Sequence, residues 1–204
     1  MEQKKLEEII NSIIKETFNI IEKVYKNQNE GKPCLIEKPD SRLVFPHYST
    51  KFREGETRIS EQELRFVFVE QFNKYCKDNN LNLFYSVETP TELKYLFKDK
   101  SNPRADDDGQ SAMVDLAIHN ERYERIALIE FKALNPDEFS YKKDFCKLTA
   151  EWENNKGLTT FFVMILKSSG NRTEENIKQK TSSKHPNTQF KCFNLNNGKE
   201  ILIK

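Results

Sequence analysis

Two apolar stretches of the chain are interrupted by charge in a pattern that suits chemistry. Asp115 is the one charged residue in Ala112–Ile118, and Glu130 and Lys132 break the run Ile126–Leu134. Both stretches read as β-strands joined by the polar turn around 119–125. Strand side chains alternate between faces. Leu128, Glu130 and Lys132 therefore share one face of the second strand, and Ala127, Ile129, Phe131 and Ala133 the other. In the first strand Asp115 goes with Met113 and Ala117, opposite Val114, Leu116 and Ile118. Paired as a hairpin, the two strands bring two carboxylates and one ammonium to one side of a sheet.

Neighbouring carboxylates repel and are costly to desolvate unless a cation joins them. Hard divalent cations take oxygen ligands and commonly use one or two protein carboxylates, keeping several waters. A lysine beside such an ion orients an attacking water and stabilises developing negative charge. This is the equipment of metal-assisted phosphodiester hydrolysis. The plain alternative is a cross-strand ion pair on a solvated face. Against it stands the position of Glu130 and Lys132 inside an otherwise apolar run, where charge usually has a function.

V-D-L-A-I, a short turn and then I-E-F-K resemble the signature of the PD-(D/E)XK nuclease superfamily. The (D/E)XK part is Glu130-Phe131-Lys132, and Val114 stands where the proline is usual. The resemblance implies a restriction-endonuclease-like α/β core of helix, three-stranded meander, helix and strand, cutting nucleic acid with Mg2+, or Mn2+ in its place. It further implies that Asp115 and Glu130 hold the metal, that the Phe131 carbonyl adds a ligand, and that Lys132 positions the attacking water. Members often carry a glutamate on the first helix of the core that assists the metal or its water shell. S-E-Q-E-L-R at 60–65 looks like that segment, which gives the role to Glu61, with Glu63 as the alternative.

The helix that would carry this carboxylate has its own signals. Ser60 and Glu63 fit a capping box, which occupies Glu63. Glu61 lies on the face of Leu64, Phe68, Phe72 and Tyr75, the face expected to meet the sheet. Downstream, Leu81–Glu88 reads as the first strand of the meander, ended by Pro90, with Thr91–Lys98 as a short helix. Residues 99–110 read as a polar loop whose Asp106, Asp107 and Asp108 form a solvated tip. After the central pair of strands, Asn135 as N-cap and Pro136 at the first position begin a helix reaching about Asn155. Tyr141, Phe145, Leu148 and Trp152 form its inward stripe. Lys142, Lys143 and Lys147 are placed mostly elsewhere, with Lys143 or Lys147 as phosphate contacts and a solvated face as the default. Thr159–Leu166 is continuously apolar, as in a central strand covered on both faces.

The ends of the chain complete the plan. Residues 1–57 read as an N-terminal helix and connector, and 58–204 as the nuclease domain. The first helix, 2–27, carries a stripe of Leu6, Ile10, Ile13, Thr17, Ile20 and Val24, widened by Ile9, Ile14, Phe18 and Ile21. Such a stripe packs on the domain, or forms a homodimer as an enzyme cutting both strands of a duplex would. Arg42–Phe45 is a candidate short strand. A basic helix is expected within Gly170–Ser183, and a closing hairpin from Gln189–Leu195 and Lys199–Ile203 across Asn196-Asn197-Gly198.

Composition narrows the partners. The 204 residues carry a net charge of only +1, but from Lys156 onward nine lysines and arginines face three acids. A local basic face attracts phosphate even on a neutral chain. Nucleic acid, DNA first, is the expected partner, and a non-cleaving binding or interaction module on the same fold is the alternative function. Four scattered cysteines without a C-x-x-C spacing suggest reduced thiols in the cytoplasm. No apolar run is long enough to span a bilayer, and no P-loop, dinucleotide fingerprint or serine-hydrolase motif is present.

Overall fold

Eight consecutive residues of one strand, β5 (Thr159–Leu166), are buried, because β5 is central and helices cover both of its faces. The computed structural model describes residues 2–31, 41–49, 51, 53–97, 103–134, 137–168, 173, 175–177 and 187–201. The other elements are α1 (Gln3–Asn29), α2 (Glu61–Asp78), β1 (Phe84–Leu96), β2 (Arg104–Ala105), β3 (Gln110–His119), β4 (Arg125–Ala133), α3 (Glu138–Asn154), β6 (Thr188–Asn194) and β7 (Lys199–Ile201). The seven strands form one mixed sheet in the order β2-β1-β3-β4-β5-β6-β7. β1, β3 and β4 are an antiparallel meander, β4, β5 and β6 run parallel, and β7 returns antiparallel on β6.

The chain is thus α/β, with two cores separated by the sheet. On one side α1 and α2 pack on Leu116, Ile118, Ile129, Phe131, Phe161, Val163 and Ile165. On the other, Tyr141, Phe145 and Leu148 of α3 pack on Ala117, Leu128, Phe162 and Met164. The Phe145 and Phe162 rings stack at 4.6 Å. The stripe of α1 is spent within the chain: Leu6, Ile10, Ile13, Thr17 and Ile20 are all buried, and Phe18 stacks on Phe193 at 5.2 Å. Among the described residues no helix is long and apolar enough to cross a membrane.

Three elements differ from expectation. β1 does not stop at Pro90 but runs on to Leu96, so there is no helix after Thr91. Pro90 is tolerated because β2 pairs only Tyr95 and Leu96, leaving β1 an edge strand at the proline. The register slips between Pro90 and Lys94. There the buried Glu151 carboxylate of α3 accepts from the amides of Glu92 (3.1 Å) and Leu93 (3.0 Å) and from the Tyr95 hydroxyl (2.9 Å). Within the expected loop, Arg104–Ala105 pairs as β2. Arg42–Phe45 is not a strand: the Gln28 side chain bonds both the amide (2.8 Å) and the carbonyl (3.1 Å) of Phe45 in place of a partner strand. The helix α3 is capped by Asp137, which accepts from Ser140 N at 2.8 Å. Asn135 and Pro136 lie outside the described residues, as does most of the expected basic helix, of which Thr173 and residues 175–177 are helical.

Gly109 sits in the turn between β2 and β3. A Cβ there would lie 2.5 Å from the carbonyl carbon and oxygen of Tyr95, and backbone atoms yield little. Gly109→Ala is expected to lower the thermal midpoint by several degrees, at roughly 2–4 °C per kcal/mol for a chain of this size. An unchanged melt would show that the turn rearranges freely.

Candidate active site

β3 and β4 are paired through Leu116↔Ile129 and then part, while β4 continues on β5 as far as Ala133↔Ile165. Asp115 is the first residue past that split. It is unpaired in both of its ladders, and its neighbour across β1, Glu88, has φ of +46°. The alternation of β3 also breaks here, since Val114 packs on the α3 side and Leu116 and Ile118 on the α1/α2 side. An irregularity of this kind, across which the β1/β3 register is kept by Val87↔Leu116 and Thr89↔Val114, re-aims a side chain. Asp115 Oδ2 accepts from Phe131 N at 2.7 Å, taking the place of the missing strand partner.

Beyond the split, Glu130 and Lys132 point to the α3 side, 1% and 9% exposed. Lys132 Nζ lies 2.9 Å from Asp144 Oδ2, 3.4 Å from Glu61 Oε1 and 3.2 Å from the Phe131 carbonyl. Glu61 enters from the first turn of α2, where Glu63 is committed to the capping box through the Ser60 amide (2.7 Å). Of the two glutamates, Glu61 is the one that reaches the cluster.

Asp144 and Lys147, which the sequence does not single out for the site, complete the group. Lys147 does not sit on a solvated face: it is 3% exposed, contacts Glu130 Oε1, lies 2.9 Å from Asp144 Oδ1 and donates to the Met113 carbonyl at 2.8 Å. A signal was available. Asp144, Lys147 and Glu151 follow one another at helical spacing beside Tyr141, Phe145 and Leu148, so the inward face of α3 carries charge as well as rings. Lys143 instead lies 5.2 Å from the centre of the Phe97 ring. His119 is about 13 Å along β3 from Asp115; it contacts Ser86 Oγ (2.7 Å) and the Tyr123 carbonyl (3.0 Å). Asp106 binds Arg104 (3.2 Å) and the Asp108 amide (3.0 Å) in the turn before β3.

Four carboxylates, those of Glu61, Asp115, Glu130 and Asp144, thus meet two ammonium groups, an excess of two negative charges when all are ionised. The electrostatics register this excess. Burial, reinforced by Asp144 and Asp115 and opposed by Lys147, holds the Glu130 carboxyl well above the usual carboxylate range. Burial also raises Glu61, against the pull of Lys132 and with the help of Asp115 and Asp144. Burial works against the charge of Lys132, but Asp144, Glu61 and Glu130 outweigh it and the ammonium is raised. Lys147 is raised against the same opposition by Glu130 and Asp144.

These directions set a pH dependence. With Glu61 and Glu130 raised, the folded chain binds more protons than the unfolded one above the ordinary carboxylate range, so stability falls as pH rises. The lysine contributions are complete below their ordinary value and are lost only in strong alkali. The melting temperature of the cation-free wild type, relative to Glu130→Gln, should therefore fall as the pH is raised above the ordinary carboxylate range. A difference that rises with pH there contradicts the assignment.

The donor set suits a hard divalent cation, being all oxygen and anionic in excess. Among the described residues, however, no three acidic side chains already converge as a finished cage, because the two lysines hold Glu130, Asp144 and Glu61. No protein-family model matches the chain, and no characterised protein or solved structure matches it.

Proposed function

We propose that this chain is a metal-dependent nuclease with a restriction-endonuclease-like core, a member of the PD-(D/E)XK superfamily. The observation that carries the proposal is the parting of β3 and β4 at Asp115, with Glu130, Lys132 and Glu61 at the opening. The order α2, meander, α3, β5 agrees with the core that the resemblance implies.

Asp115 and Glu130 would hold Mg2+, or Mn2+ in its place. Asp115 turns one oxygen to the Phe131 amide and has the other for the ion. When bound, the cation supplies Lewis-acid stabilisation of charge on the scissile phosphate. Lys132 does not accept a proton, because its partners keep it an ammonium. It donates hydrogen bonds, and its longest contact, to Glu61, is the one exchanged for the attacking water or a phosphoryl oxygen. Glu61 is half-exposed and has a raised proton affinity, which suits it to receive a proton of that water at Oε1. Asp144 fixes the Lys132 ammonium in place.

Nucleic acid, DNA first, is the proposed substrate. Incubation with duplex DNA, single-stranded DNA and RNA tests the reading. Cleavage of at least one polymer with Mg2+ or Mn2+, abolished by a chelator, is expected. Binding without cleavage under both cations would instead favour a non-cutting module.

A further inference from the structure

Lys147 has the surroundings of a metal ion. A lysine ammonium has three N–H donors, and all three are accounted for: Glu130 Oε1, Asp144 Oδ1 at 2.9 Å and the Met113 carbonyl at 2.8 Å. Three oxygens from β4, α3 and β3, two of them carboxylate oxygens, converge on one buried point that carries a positive charge. With every donor engaged and the side chain buried, Lys147 has nothing left for a phosphate. Lys132 differs, since one of its contacts is to the half-exposed Glu61.

Enzymes that clamp a phosphoryl group with two divalent ions hold them about 3.5–4 Å apart around shared carboxylates. Here Glu130 is the shareable carboxylate, with Lys147 already on one of its oxygens. We propose that Lys147 is a tethered second cation, occupying the oxygen cradle of Glu130, Asp144 and the Met113 carbonyl and thereby limiting the site to one divalent ion per chain. The proposal rests on the nuclease reading of the same site. It makes Lys147 a positioning residue: it fixes Glu130 for the single ion and does not touch substrate. The charge balance agrees, because one divalent ion offsets the excess of two carboxylates that remains once both lysines are counted.

The test is a count of bound Mn2+ by electron paramagnetic resonance, in which bound ion loses the sharp spectrum of free ion. Wild type is expected to bind one Mn2+ per chain. Lys147→Met, which keeps most of the stem of the side chain but empties the cradle, is expected to bind two, and so is Lys147→Gln. Lys147→Arg, which retains the positive charge, is expected to stay at one. Circular dichroism in the same buffer identifies the variants that fold. A wild-type count of two overturns the proposal whichever variants fold, as does a count of one in a folded Met or Gln variant, and both outcomes leave the nuclease reading standing. A wild-type count of zero overturns both.

Discussion

Lys132→Met is expected to lower Mg2+-dependent cleavage by about 10²–10³-fold, the usual cost of removing one preorganised donor aimed at developing charge. The methionine keeps most of the stem that fills the space between β4 and α3, and Asp144 retains Lys147 as a partner at 2.9 Å. The fold should therefore survive, and a circular dichroism spectrum like that of wild type is part of the expected result. Asp115→Ala should be as damaging, because the same carboxylate is a proposed metal ligand and the partner of the Phe131 amide. Unchanged cleavage in the Lys132 variant would remove that residue from the chemistry.

Glu151→Ala is expected to have the largest effect on stability. The side chain is 1% exposed and accepts from two backbone amides and the Tyr95 hydroxyl at the slipped register of β1. Truncation leaves the donors of Glu92, Leu93 and Tyr95 without this acceptor, and Tyr95 is itself 1% exposed. Stranding donors in this way costs about 3 kcal/mol, or roughly 6–12 °C in thermal midpoint. Glu151→Gln keeps a carbonyl for the amides and should lose less. A loss below about 2 °C for the alanine variant would mean that β1 is held by other contacts.

The contrast between Glu151 and Ser60–Glu63 shows which features a sequence exposes. The capping box is local, four residues whose partners are each other, so α2 and the inward placement of Glu61 could be read directly. The continuous apolar run of β5 was equally plain, since burial on both faces leaves no alternation to interpret. β1 runs on past Pro90, a residue that normally ends a strand. The compensations are an edge position and a carboxylate on α3, fifty-eight residues beyond Leu93. The site divides in the same way. Asp115, Glu130 and Lys132 interrupt apolar strands and so were visible. Asp144 and Lys147 lie on a helix rich in charge, where the sole local sign that separates them from the half-exposed Lys142, and from Lys143 over the Phe97 ring, is their helical spacing beside Tyr141, Phe145 and Leu148. Their burial follows from α3 crossing the sheet where β3 and β4 part.

The nuclease proposal stands or falls with a divalent cation bound where those strands part. The most direct measurement is anomalous diffraction from crystals of this protein soaked in Mn2+. One anomalous peak per chain is expected, in contact with the carboxylates of Asp115 and Glu130 and separate from the Lys147 ammonium. A saturated soak with no peak at those residues, or with its peak elsewhere, would contradict it.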